Sequence, residues 1–175
     1  MNFLPTVSPQ VLALAPDFHG LNVILRRKET SAAKPAGVQH TLYLARDAVL
    51  HGEPRWAEAH LEAWREVYRR FGAKPQRTPC SAESLRKRLL RAGVLPSIDP
   101  VVDLYNAISL QYALPVGGEN LIAYDGSPHL AVSNGEERFD TIKDGQAHWE
   151  TVDVGEVIWR DARGATCRRW NWRQG

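Results

Sequence analysis

Apolar residues recur at steps of 4, 3, 4 and 3 through Ala57, Leu61, Trp64, Tyr68 and Phe71, which is the repeat of one face of a 3.6-residue helix. Pro54 near the first turn and Gly72 just past the last residue bound it, so an amphipathic helix is predicted over 54–71. In a second helix Ser81 is placed to cap, Glu83 falls in the first turn, and Gly93 is the stop. Ala82, Leu85, Leu89 and Ala92 make its apolar face, while Arg86, Lys87, Arg88 and Arg91 make the other. Asp99-Pro100 opens a third helix, with Val101, Tyr105, Ile108 and Tyr112 as its expected buried stripe and Pro115 ending it. Upstream, Val11 to Ala15 and Leu21 to Leu25 flank Pro16, Asp17 and Gly20, the pattern of two short strands around a turn. Arg26, Arg27 and Lys28 follow, and 31–37 lacks periodicity and is expected to be a loop.

Beyond Gly118 the period changes. Short runs at Leu121 to Tyr124, Leu130 to Val132 and Arg138 to Ile142 are each followed by a turn dipeptide, Asp125-Gly126, Asn134-Gly135 and Asp144-Gly145. Val157 to Arg160 and Ala165 to Trp170 are expected to pair across 161–164. With no internal repeat or linker, the pattern predicts a single α+β domain over 1–175, a mixed, mostly antiparallel sheet with three central helices.

Composition narrows the function classes. At 175 residues, 43% hydrophobic and 24% charged, the chain resembles an ordinary folded domain and not a disordered or fibrous one. Two cysteines, Cys80 and Cys167, form no C-x-x-C, and the six histidines are dispersed, so neither a metal nor a cofactor is expected. A reducing cytoplasm is the expected compartment, and the early apolar run is too short to span a bilayer and lacks a basic segment before it. Charge is segregated: residues 55–96 carry ten basic and four acidic side chains, residues 97–162 three and twelve, and residues 163–175 four and none. Such separation suits a protein that meets a polyanion with one face, and it equally suits solvated helix surfaces.

No G-x-S-x-G, P-loop, dinucleotide fingerprint or H-E-x-x-H occurs. Cys80 follows Thr78-Pro79 at a helix start that would favour a thiolate, or it simply packs. Asp103 and Asn106, three apart, share a helix face that leads to the loop Pro115-Val116-Gly117-Gly118-Glu119-Asn120. They either face a ligand cradled by glycine amides, or Asp103 stabilises the helix start and Asn106 the loop. Near the end, arginine alternates with tryptophan in Cys167-Arg168-Arg169-Trp170-Asn171-Trp172-Arg173. That is how a base-stacking, phosphate-binding surface is composed, and also how a strand with inward Trp and outward Arg is composed.

Val101-Val102-Asp103-Leu104-Tyr105-Asn106 followed by Pro115, the Gly117-Gly118-Glu119 loop, and Gly155-Glu156-Val157-Ile158-Trp159-Arg160-Asp161 resemble the stand-alone B3/B4 domain proteins. These are relatives of the tRNA-editing B3/B4 domain in the β subunit of bacterial phenylalanyl-tRNA synthetase. The synthetase motif is similar to V-V-D-V-T-N, an apolar stretch to a Pro, then L-H-A-F-D. The stand-alone motif is similar to V-D-L-Y-N, a G-G-E/D loop and G-E-V-x-W/Y-x-D. The resemblance covers roughly residues 60–175. It implies an α+β domain whose pocket hydrolyses a wrongly esterified amino acid from tRNA. Tyr105 replaces the synthetase Thr, Asn106 is retained, and Gly117 replaces the synthetase His. The synthetase's pocket Glu has no counterpart here, because relatives continue with more sheet past the position of Gly175.

What the resemblance implies is a tRNA-binding protein, with aminoacylated tRNA as partner and neither membrane nor DNA expected. As a trans-editing deacylase it would use Asn106, Glu119 and Glu156 catalytically, and Tyr105, Gly117, Gly118 and Asp161 would hold the substrate. Arg86, Lys87, Arg88, Arg91, Arg168, Arg169, Trp170 and Arg173 would contact RNA. A non-catalytic RNA-binding module and a small-molecule, amino-acid-binding protein are the alternatives.

Overall fold

The computed structural model describes residues 4–26 and 36–175. Arg27, Lys28 and nearly all of the expected loop at 31–37 lie outside the described residues. Among the described residues the chain forms five helices and seven strands, the strands joined in one mixed sheet, so the fold class is α+β. The contacts divide into two compact units.

One unit comprises Met1–Val23, Arg65–Pro79 and Glu119–Gly175 and holds the sheet. Its strands are β1 (Thr6–Val7), β2 (His129–Val132), β3 (Arg138–Lys143), β4 (Gln146–Thr151), β5 (Val157–Arg160), β6 (Ala165–Arg168) and β7 (Arg173–Gln174). The order is β1-β2-β5-β6-β3-β4, with β7 on β6. β1 with β2 and β3 with β6 are parallel, and the other pairings are antiparallel. Asp144-Gly145 closes the β3–β4 hairpin with both residues left-handed, φ 53° and 77°, as a two-residue hairpin loop of this twist requires. β5 and β6 pair as the sequence predicts, with an irregularity at Trp159 and Arg160. Phe139, Val152, Ile158 and Ala165 make the buried cluster beneath.

Three sequence expectations fail along these segments. Val11 to Ala15 is not a strand: it lies largely in helix α1 (Pro9–Leu14), because Ser8 caps the Val11 N–H at 3.4 Å and Pro9 occupies the first helical position. Leu21 to Leu25 forms no regular element, and Leu21 is fully exposed. Leu121–Ala123 is a single 3-10 turn instead of a strand, started by the Asn120 side chain accepting from the Ile122 N–H at 3.1 Å.

The other unit comprises Ile24–Trp64 and Cys80–Gly118 and is helical. Its core gathers Leu42, Ala45 and Val49 of α2 (Ala36–Leu50), Leu89 of α4 (Ser81–Ala92), Leu95, and Ala107 and Leu110 of α5 (Pro100–Tyr112). Helix α3 (Ala57–Arg70) carries residues of both units, Ala57 and Leu61 in this one and Tyr68 in the sheet unit, and all three are buried as its period predicts. At α4 the cap position is Cys80, whose side chain makes no capping bond, and Ser81 is the first helical residue, so the expected Ser81 cap is displaced by one residue. Ala92, expected on the apolar face, is exposed.

At α5 the phase of the stripe is corrected. Asp99 caps the Val101 N–H at 2.9 Å as expected, but the buried face is Asp103, Ala107 and Leu110, while Ile108 and Tyr112 turn outward. A carboxylate occupies the core side because it is satisfied there. Asp103 accepts from the Ser97 hydroxyl and, at 2.9 Å, from the Ile98 N–H, binding the preceding loop to the helix.

Candidate functional site

In the helical unit, α5 delivers Tyr105 and Asn106 half-buried to one turn of helix surface, and the loop after it returns Gly117 and Gly118. A Cβ on Gly118 would stand 3.3 Å from Cε1 of Tyr105, so the glycine backbone lies directly on the phenol ring. Burial, aided by the nearby Asp99 charge, raises the Tyr105 pKa above that of an ordinary phenol and keeps the hydroxyl protonated. Among the described residues neither the Tyr105 hydroxyl nor the Asn106 carboxamide has a hydrogen-bond partner. Tyr105 and Gly118 are thus in contact, with Asn106 next on the helix and Gly117 next in the loop, and this stretch, the α5 rim, contains no carboxylate of its own.

On α4, Arg86 donates to the carbonyls of Leu110 (3.1 Å) and Glu53 (3.1 Å), which ties it into the scaffold. Lys87 pairs with buried Glu83 at 2.7 Å while its side chain stays 58% exposed. Arg88 and Arg91 are exposed and have no ion-pair partner among the described residues.

The sheet unit disposes of its candidates differently. Glu156 is 3% exposed and accepts from Arg168 Nε at 3.0 Å, Arg168 Nη2 at 2.7 Å and the Arg169 N–H at 2.9 Å. Arg168 also reaches Glu150 at 2.9 Å and Asp153 at 3.3 Å. Its guanidinium pKa is raised, chiefly by the hydrogen bonds to Glu156. Burial pushes Glu150 upward, but hydrogen bonds and charge from Arg173 and Arg168 outweigh it and hold the carboxyl below the usual range. Arg168 is thus a buried structural cation, and Glu156 is its counterion, so neither stands where the sequence expectation put it, at a phosphate or a reacting water.

Trp170 is 2% exposed and packs edge-on against Phe18 at 4.9 Å, so it is core and not a stacking surface. Asp161 accepts from the Asp125, Arg163 and Gly164 N–H groups at 2.9, 2.8 and 3.2 Å and organises the β5–β6 turn. Gly164 is required there: at φ 156° an added Cβ would meet the Arg138 carbonyl oxygen at 2.4 Å. Glu119 is exposed and accepts from the Tyr124 hydroxyl, whose pKa burial and Glu119 both raise. Arg173 donates to Glu150 and lies over the rings of Phe139 and Trp172 at 5.0 and 5.1 Å. Arg169 keeps 22% of its side chain exposed and stacks on Trp172 at 4.7 Å.

Neither cysteine offers an exposed thiol. Both are buried, and desolvation above all pushes the Cys167 thiol up to about 12. Sequence reasoning missed Tyr68, assigned only a core role. Its hydroxyl donates to the Arg169 carbonyl at 2.6 Å, with Asn171 Oδ1 3.1 Å away sharing the same hydrogen, holding a turn in which Arg169 and Trp170 are both left-handed. Nothing local in the sequence signals a bond across a separation of 101 residues.

Among the described residues no helix is long and apolar enough to cross a membrane, and no three His, Cys, Asp or Glu side chains gather as metal ligands. No curated protein and no solved structure matches the chain. The family model for the B3/4 domain matches residues 63–175, most of the chain and all of the motifs that carry the resemblance. The chain belongs to the B3/4 domain family, a tRNA-synthetase-related domain.

Proposed function

We propose that this protein binds aminoacylated tRNA and hydrolyses a mischarged aminoacyl ester at the α5 rim. The observation that carries the reading is the juxtaposition of Gly118 with the Tyr105 ring beside an unpartnered Asn106 carboxamide, in a chain of this family. In the step proposed, water adds to the ester carbonyl carbon, the acyl C–O bond to the ribose breaks, and the ribose oxygen leaves with a proton. Asn106 and the neutral Tyr105 hydroxyl donate to the carbonyl oxygen as it takes up charge. A single well-aimed donor of this kind is worth roughly 10²- to 10³-fold in rate. Gly117 offers no imidazole, and Glu156 and Asp161 are committed to Arg168 and to backbone amides. Water is then positioned, not deprotonated by a dedicated base, which suits an ester that is already labile. Arg88 and Arg91, with Lys87 beside them, are the cations available on α4 for phosphates, and Glu119 remains available only in its bond with Tyr124.

The test is deacylation of a panel of mischarged tRNAs by wild-type protein and by Asn106→Ala, with the loss expected in turnover and not in tRNA affinity. A second reading, an RNA-binding module without catalysis, is favoured by Gly117 and by the engaged carboxylate of Glu156. It predicts tRNA affinity that falls steeply with salt and no acceleration of ester cleavage on any substrate.

A further inference from the structure

The sheet unit contains a cleft of about 420 Å³ that the α5 chemistry does not use, within the range that encloses a small ligand. One wall is the segment after α3, carrying Phe71, Lys74 and Arg77, and the other carries Asp153, Glu156 and Arg169. Charge on the second wall is nearly balanced, because Arg168 and Arg169 face Asp153 and Glu156. Lys74 and Arg77 are exposed and have no acidic partner among the described residues, so the cleft keeps a positive excess.

Arg169 adds directional donors. Its guanidinium lies 3.7 Å from Asp153 and 3.6 Å from Glu156, close enough for charge compensation and too far for hydrogen bonds. Its backbone is fixed by the Tyr68 hydroxyl and by Glu156, and its plane rests on Trp172. Such a guanidinium is oriented before any ligand arrives and still has its N–H groups to give. Phe71, half-buried and 5.1 Å from the Tyr68 ring, supplies an apolar surface beside the cations.

We propose that this cleft is a binding site for a phosphate ester, with Lys74, Arg77 and Arg169 on the phosphate and the organic moiety against Phe71. A free nucleotide and a phosphate of bound tRNA share this chemistry, and the experiment separates them. None of these residues belongs to the α5 rim, and the readout is binding and not ester cleavage, so this site can fail while the deacylase reading stands.

The experiment is calorimetric titration of the full chain with AMP, adenosine, inorganic phosphate and uncharged tRNA. The proteins are wild type, Lys74→Gln/Arg77→Gln and Asp153→Asn, each checked for an unchanged melting profile. AMP is expected to bind at least tenfold tighter than adenosine, and the double variant to lose roughly tenfold or more of that affinity. Asp153→Asn removes a competing anion and is expected to tighten AMP about threefold. Loss of AMP affinity alone identifies a free nucleotide as the ligand. Loss of tRNA affinity, with a salt slope shallower by about two, identifies an RNA phosphate. The proposal is overturned if the double variant, folded, binds both AMP and tRNA as the wild type does, or if wild type binds neither.

Discussion

Replacing Glu156 by Gln separates a structural carboxylate from a catalytic one. The side chain is 3% exposed, and its two oxygens take three hydrogen bonds, two from Arg168 and one from the Arg169 N–H. Gln keeps the size and one acceptor oxygen but loses the charge, and its NH2 then faces a guanidinium. Removing one partner of a buried ion pair costs about 3–5 kcal/mol when nothing else compensates. Glu150 and Asp153 still touch Arg168, from 30% and 73% exposed positions, so a loss near the lower end, about 3 kcal/mol, is expected. For a chain of this length that corresponds to a melting point lower by roughly 6–12 °C. Urea or thermal unfolding followed by circular dichroism measures it, and deacylation is assayed well below the variant's melting temperature. The expected outcome is a destabilised protein whose turnover per folded molecule matches wild type. Unchanged stability with abolished turnover would refute the assignment of Glu156 as the counterion of Arg168.

Three further outcomes follow from the geometry. Asp103→Ala removes the carboxylate to which the Ser97 hydroxyl and the Ile98 N–H donate in the helical unit and is expected to cost about 1–3 kcal/mol in urea unfolding, with Asp103→Asn milder. Gly164→Ala puts a methyl against the Arg138 carbonyl oxygen, which is backbone and cannot swing aside, so soluble yield and melting temperature both fall while the space-neutral Gly145→Asn, at a turn with no neighbour in reach, is nearly silent. Glu150 has its folded pKa below its unfolded value, so its contribution is complete above the unfolded pKa and disappears as pH drops through the folded one. Acid unfolding titrated below pH 5 is accordingly expected to be shallower in Arg173→Gln, which returns Glu150 toward an ordinary carboxylate, than in wild type.

Local signals decided what could be read from the chain. The Asp144-Gly145 hairpin, the Asp99-Pro100 start of α5 and the stripe from Ala57 to Tyr68 each rest on contacts a few residues apart, and each is present. Helix α2 was missed because Tyr43, Leu44 and Leu50 are apolar and yet exposed, which blurs the stripe made by Leu42, Ala45 and Val49. The wrong phase at α5 has the converse cause: the core position is held by a carboxylate, and a hydrophobic count passes over it. At α1 the apolar run from Val11 to Ala15 is short enough to be ambiguous between strand and helix, and the Ser8 cap with Pro9 makes it a helix. Tyr105, Asn106, Gly117 and Gly118, the residues of the proposed site, stand out in the sequence as a motif, and the approach of Gly118 to Tyr105 is present. The burial of Arg168 and Trp170 is not legible there, because alternating Arg and Trp fits either orientation until Glu156 and Phe18 are brought alongside.

The proposed ester cleavage at the α5 rim is tested most directly by the single-turnover deacylation rate on mischarged tRNA for wild type against Asn106→Ala. A rate above the spontaneous one that falls about a hundredfold toward background in the variant, with tRNA affinity preserved, is the predicted result. A wild-type rate equal to the spontaneous rate across the panel, or an Asn106→Ala rate equal to wild type, contradicts it.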